Sequence, residues 1–201
     1  MGGWRDRVEK LRGRTRFVVL RIMLHLSGED APPQLGVFNR VAQSAIETEG
    51  DLQVMGEGLV EICESLLRTP NSWKAVANEG DVFWDEGEAG DYVNELFTDS
   101  AQRYLSDTVA DENNSDDDDT FSIPISRNVV LMLTVAYTGE MESLETDLSD
   151  IGVLEEALKD LINLHYSDRL RAIQIHFSPA HFGDELTNDQ VIENFPELVP
   201  L

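Results

Sequence analysis

Lysine and cysteine are scarce in this sequence. Three lysines stand beside 12 arginines, and Cys63 is the only cysteine. A single cysteine excludes an internal disulfide, so the sequence does not match the small secreted domains that depend on disulfides. Because Cys63 lies on the apolar stripe of a predicted helix, we expect a buried thiol without a catalytic role.

Long hydrophobic runs are also missing. The longest candidate, from Phe17 to Leu26, is interrupted by Arg21 and His25. A membrane-spanning helix needs about 20 mostly apolar residues, so we expect no span here. We also expect no cleavable signal peptide, because the apolar run after the basic start is short and lacks a small-residue cleavage site.

Sequence motifs that carry catalysis are absent. There is no HExxH, no paired cysteine set, no phosphate-binding glycine loop and no GxSxG. His176 and His181, with Asp184 and Glu185 nearby, approach a metal site but lack a recognised ligand spacing. The acidic run 116–119 lacks the loop glycine and closing glutamate of a calcium loop. We therefore expect no catalytic residues, metal or cofactor, and a protein that is not an enzyme.

Charge is large and unevenly distributed. The formal net charge is -24, from 39 acids and 15 bases. Residues 1–21 contain seven bases and two acids, a sum of +5, which leaves -29 on the rest. A body this acidic opposes binding to nucleic acid, so we expect no nucleic-acid partner.

Residues 1–15 form a basic amphipathic arm in this interpretation. Apolar side chains at helical spacing alternate with bases, which leaves three possibilities open. The arm could enter an anionic membrane surface, dock on an acidic protein, or fold back on the acidic body of its own domain. The candidate interaction residues are Trp4, Arg5, Arg7, Val8, Lys10, Leu11 and Arg12.

Residues 16–201 are predicted to form a single α+β domain. Alternating apolar residues over 16–26 predict a half-buried strand, and the nearly all-apolar stretch 128–137 predicts a central strand. A third strand is predicted over 170–177. Helical stripes follow Pro32, Gly50 and residue 90, and two further helices are predicted after Asp150 (or Ser149) and Thr187.

The connections complete this prediction. Residues 71–90 are predicted to be a loop, and residues 108–122 an acidic mobile loop that cannot bury enough apolar surface to become ordered. The strand–helix–strand order over 128–177 predicts a parallel or mixed pair with a right-handed crossover. We therefore expect a small mixed sheet of about three main strands, packed by four to five helices.

Several segments resemble one known family. They are LLRTPNSW (66–73), YVNELFTDSAQRYLSD (92–107), NVVLMLTVA (128–136), LEEALKDL (154–161), LRAIQIHFSP (170–179) and DELTNDQVIENFPELVPL (184–201). In order and spacing they resemble the fluctuating-light acclimation proteins of chloroplasts and cyanobacteria, which are built on a domain of unknown function. The resemblance covers roughly residues 16–201, apart from the acidic insert.

The resemblance implies a non-enzymatic regulatory or assembly factor associated with the photosynthetic apparatus of a cyanobacterium-like organism. It implies a protein partner from a photosynthetic complex and a cytoplasmic location peripheral to the thylakoid membrane. The family has no established catalytic residues to transfer. Many relatives carry a membrane segment before the domain, where this sequence has the basic arm. The alternative is a peripheral membrane-binding module that uses the arm and has no photosynthetic role.

Overall fold

Strands and helices alternate along the chain. The computed structural model describes residues 13–110, 127–180 and 184–201. Within them the elements are β1 (Phe17–Ser27), α1 (Ala31–Glu47), α2 (Leu52–Arg68), β2 (Trp73–Phe83), α3 (Glu86–Ala110), β3 (Asn128–Thr138), α4 (Ile151–Tyr166), β4 (Leu170–Ser178), α5 (Asn188–Asn194) and β5 (Val199–Pro200).

The strands form one five-stranded sheet in the order β4-β3-β1-β2-β5. Every neighbouring pair is antiparallel. The α+β class and the number of helices are confirmed. The prediction of a mixed sheet with about three strands is wrong, because β2 and β5 extend the sheet on one side and no described pair is parallel.

Strand β2 corrects the prediction of a loop over residues 71–90. Its sequence, WKAVANEGDVF, is rich in residues that disfavour strands. Pairing with β1 nevertheless runs from Leu26↔Trp73 to Phe17↔Phe83. The sequence of β2 has a low strand propensity, and backbone hydrogen bonds to the strongly strand-forming β1 stabilise it as a strand.

The pairing of β3 with β4 corrects the prediction of a parallel or mixed crossover. The chain leaves β3 at Thr138, and Asn78 of β2 holds the next segment by bonding the Thr146 carbonyl and the Leu148 N–H. Helix α4 then leads back to β4. This connection returns the chain to the end of β3 at which it left. Strand β4 therefore starts beside the end of β3, with Leu170 opposite Tyr137, and runs antiparallel to it.

Both faces of the sheet are covered. Face A carries the side chains of Val18, Leu20, Ile22, Leu24 and Leu26, and joins α1, α2 and α4 in the largest hydrophobic core. Face B carries Val19, Arg21 and Met23, which are 0%, 3% and 1% exposed. Helix α3 and the C-terminal segment cover face B. The prediction that β1 is half-buried is therefore wrong.

Helix starts follow the sequence closely. Asp150 caps α4, since its Oδ1 accepts hydrogen bonds from Gly152 N at 2.8 Å and Val153 N at 3.1 Å. Thr187 and Gln190 form both bonds of a capping box at the start of α5. These local predictions are confirmed, because each cap depends on residues two or three positions apart.

Glycine sets the distance between α1 and α2. A methyl group at Gly58 would lie 2.4 Å from Cγ1 of Val41, which is itself buried. A methyl group at Gly36, in the middle of α1, would meet nothing within 4 Å. The two glycines therefore differ in packing but not in secondary structure.

We expect opposite effects of alanine at these two positions. Gly36→Ala should stabilise the protein by about 0.5–1 kcal/mol, because alanine costs less conformational entropy in a helix. Gly58→Ala should destabilise it by about 1–3 kcal/mol, because the added methyl overpacks the α1–α2 contact. Urea denaturation of both variants measures this difference. Stabilisation by both substitutions would contradict the close contact.

Candidate functional site

A groove of about 1000 Å³ runs along β2. Strand β5 pairs only with Ala75 and Val76. Among the described residues, β1 is therefore the sole strand partner of residues 77–83. Glu79, Gly80 and Asp81 are exposed in this part of β2. The groove thus follows an open sheet edge, a feature that can recruit another chain.

Two segments wall the groove on either side of β2. Tyr92, Glu95 and Asp99 of α3 stand on the face B side, and residues 144–147 stand on the face A side. Seven carboxylates and three arginines line the groove, which makes its formal charge about -4. They are Glu79, Asp81, Glu95, Asp99, Glu145, Asp147 and Glu197, with Arg16, Arg21 and Arg103.

Arg21 organises the floor of the groove. Its Nε donates to Glu79 Oε1 at 2.8 Å. Its Nη1 donates to Asp99 Oδ2 at 2.6 Å and to Ser100 Oγ at 2.9 Å. A third contact from Nη1 reaches the carbonyl oxygen of Leu96 at 3.3 Å. A buried guanidinium needs such partners, so Arg21 ties β1, β2 and α3 together.

Arg103 extends this network to the C-terminal segment. Its Nε donates to Asp99 Oδ2 at 2.9 Å, and its Nη2 donates to Glu197 Oε1 at 2.5 Å. Burial tends to raise the pKa of Asp99, but hydrogen bonds from Arg21 and Arg103 outweigh it and lower that pKa. The hydrogen bond from Arg103 lowers the pKa of Glu197. Both carboxylates are therefore fixed negative charges at neutral pH.

Glu145 anchors the opposite end of the groove. It accepts hydrogen bonds from Arg16 Nη1 at 2.8 Å and Nη2 at 2.5 Å, and from the Met141 N–H at 2.9 Å. The hydroxyl of Tyr137 donates to it at 3.2 Å. Burial tends to raise the pKa of Glu145, but the bonds from Arg16 and Met141 outweigh it and lower that pKa.

Three carboxylates of the groove lack a basic partner among the described residues. Asp81, Glu95 and Asp147 form no salt bridge with any basic side chain of the described residues, whereas the other four do. Carboxylates that lack a basic partner attract cationic groups. The arrangement therefore favours recognition of a basic ligand.

Only one histidine of the pair considered as metal ligands lies within the described residues. His176 lies on face B with its ring centroid 5.1 Å from that of Phe97, and burial lowers its pKa. His181 lies outside the described residues. Within the described ranges, no group of three or more histidine, cysteine, aspartate or glutamate residues could hold a metal ion.

Cys63 is 0% exposed, as expected for a buried thiol. It lies on α2 among the residues of the face A core. Burial raises the pKa of the thiol, which keeps it protonated and unreactive at neutral pH.

The predicted arm cannot be compared with the structure, because Trp4, Arg5, Arg7, Val8, Lys10, Leu11 and Arg12 lie outside the described residues. Helix α3 continues to Ala110 and so includes the first residues of the acidic loop predicted over 108–122, and the rest of that segment lies outside the described residues. No helix in the described part of the chain has the length and hydropathy to span a membrane.

The groove was not predicted from the sequence. All of its β2 residues fall in the segment that was predicted to be a loop, and its other walls come from α3, from residues 144–147 and from the C-terminal segment. Arg21 was the one available signal. An arginine inside an apolar, alternating strand requires carboxylate partners if the strand is buried on both faces.

Glu145 makes a pH-dependent contribution to stability. Its pKa is lowered in the folded state, so the contribution is complete above the unfolded value of about 4.3 and is lost as pH falls through the folded value. Glu145→Gln should therefore cost about 1.5–3 kcal/mol at pH 7, the range for hydrogen bonds to charged groups, and less at pH 3, below the unfolded pKa. Urea denaturation at both pH values measures this.

The matched control is Glu142→Gln, which neutralises an exposed carboxylate on the same turn. It should change stability little at either pH. A cost for Glu145→Gln that is equal at pH 7 and pH 3 would contradict the ionic role of Glu145.

Comparison with known proteins agrees with the resemblance seen in the sequence. The chain is 25% identical over 151 residues to "Protein FLAP1 homolog A" of Synechocystis sp.. The alignment covers 70% of this chain and 44% of that protein, so the chain spans less than half the length of this curated relative. No solved structure matches. The model of DUF1517, a protein family of unknown function, matches residues 16–201, and the chain therefore belongs to the DUF1517 family.

Proposed function

We propose that this protein is a non-enzymatic regulatory or assembly factor that binds a protein of the photosynthetic apparatus. The observation that carries the proposal is the similarity to Protein FLAP1 homolog A of Synechocystis sp., whose name refers to acclimation to fluctuating light. In this proposal the protein works in the cytoplasm of a cyanobacterium-like cell, at the surface of the thylakoid membrane.

The groove beside β2 supports a binding role. Its arginines are held by carboxylates, and Asp81, Glu95 and Asp147 present further negative charge. Gly80, which is exposed, lines the same groove as these side chains. A basic, extended segment of a partner could pair with the edge of β2 and place its cationic side chains among the carboxylates.

The absence of a side chain at Gly80 allows β2 to lie close to β1 at this edge. A methyl group there would lie 2.5 Å from the carbonyl oxygen of Val19 and 3.2 Å from Cα of Leu20. Both atoms are backbone atoms of β1, so neither can move aside without disturbing the central strand. Any side chain at position 80 would therefore disturb the pairing of β2 with β1 beside the groove.

Affinity capture from a cyanobacterial extract tests the proposed function. The tagged full chain should recover a photosystem, antenna or thylakoid component. A groove variant, Asp81→Lys with Glu95→Lys, should reduce recovery about tenfold, because like charges then face a basic partner. Both substituted positions are exposed, so the fold should be retained.

The control variant, Glu57→Lys with Glu156→Lys, carries the same charge change on exposed positions of α2 and α4. It should recover the partner as the unsubstituted chain does. Recovery of no photosynthetic component by the unsubstituted chain would contradict the proposed function. Equal losses with both variants would show that net charge, and not the groove, decides binding.

A further inference from the structure

The chain contains its own basic segment of a size suited to the groove. Residues 1–12 contain four bases and two acids, a sum of +2, and Arg14 follows them. The groove carries about -4. We propose that residues 1–12 bind in the acidic groove of their own domain. This proposal does not depend on the proposed function, because it concerns the isolated chain.

The arm leaves the domain at one end of the groove. Phe17, the first residue of β1, pairs with Phe83, which directly follows Val82 in the groove wall. Arg16 itself lines the groove. Residues 1–12 are therefore connected to the groove by a tether of only about three residues, which places them near the groove at an effective concentration of about millimolar.

The described start of the chain permits the required change of direction. To lie along β2, the arm must turn back from the direction in which it enters β1. Gly13 has a φ of +71°, in the left-handed region that other residues rarely adopt. A methyl group added at Gly13 would meet no atom within 4 Å, so the surroundings are open. A sharp turn at Gly13 is thus compatible with both the backbone and the surroundings.

The lengths of the arm and the groove also agree. Residues 77–82 of β2 span five steps of about 3.4 Å, which is about 17 Å. Twelve residues span about 18 Å as a helix and more when extended. The arm is therefore long enough to reach along the whole groove in either conformation.

The groove offers contacts for both the basic and the apolar residues of the arm. Asp81, Glu95 and Asp147 can receive the basic side chains, since they form no salt bridge with described residues. Near the arm's exit, the rings of Phe83 and Tyr92 pack with centroids 5.4 Å apart and remain partly exposed. Such a pair can accept an apolar side chain or a guanidinium.

The test places a spin label on the arm of the full chain. Gly3→Cys provides one reactive thiol, because Cys63 is fully buried. The label should broaden the amide resonances of residues 77–82 and of the first turns of α3, and leave α2 and α4 unaffected. The same broadening should disappear in the groove variant and weaken at 1 M salt, where the screening length is about 3 Å.

The control variant, Glu57→Lys with Glu156→Lys, should keep the broadening. Uniform or absent broadening in the unsubstituted chain would overturn the proposal, as would equal broadening in the groove and control variants. Broadening that grows with protein concentration would show binding between two chains and would also overturn it. Broadening that appears only when phosphatidylglycerol vesicles are present would also overturn the proposal, since the arm would then be a membrane anchor.

Discussion

The burial of Arg21 is the constraint on which the rest of this structure depends. Its guanidinium lies inside a sheet that is covered on both faces, and it is 3% exposed. A charge in that position is tolerable only with ionised, hydrogen-bonded partners. Glu79 and Asp99 provide them, and they come from β2 and α3. The positions of β2 and α3 against β1 therefore depend on the hydrogen bonds and ion pairs that the Arg21 guanidinium requires.

This constraint also creates the groove. Glu79 and Asp99 are 43% and 42% exposed, so each faces Arg21 on one side and solvent on the other. Arg103 then links Asp99 to Glu197 and brings the C-terminal segment to the same place. The continuous apolar core lies on face A, whereas the charged groove lies at the open edge of β2 and on face B. The charged side chains of the groove are therefore separated from the main core.

Parts of the fold could be read directly from local patterns. The cap at Thr187, the stripe that buries Cys63 and the fully buried strand around Met132 were predicted correctly, and the cap at Asp150 was one of the two positions that the sequence allowed. Each depends on neighbours a few positions away or on an unbroken apolar run. The groove could not be predicted in this way, because its lining residues are separated by up to 183 positions, from Arg16 to Val199. No local pattern links those segments.

The sequence by itself determined the α+β class, the helices and their caps, the three strongly apolar strands and the division between a basic arm and an acidic body. Tertiary structure alone decided that residues 73–83 form a strand, that all strand pairs are antiparallel and that the carboxylates of β2, α3 and the C-terminal segment meet beside Arg21. The physical reason is that helices satisfy their backbone hydrogen bonds within a few residues, whereas a strand satisfies them only with a distant partner. The sequence of β2 has a low strand propensity, and its pairing with the strongly strand-forming β1 determines its structure.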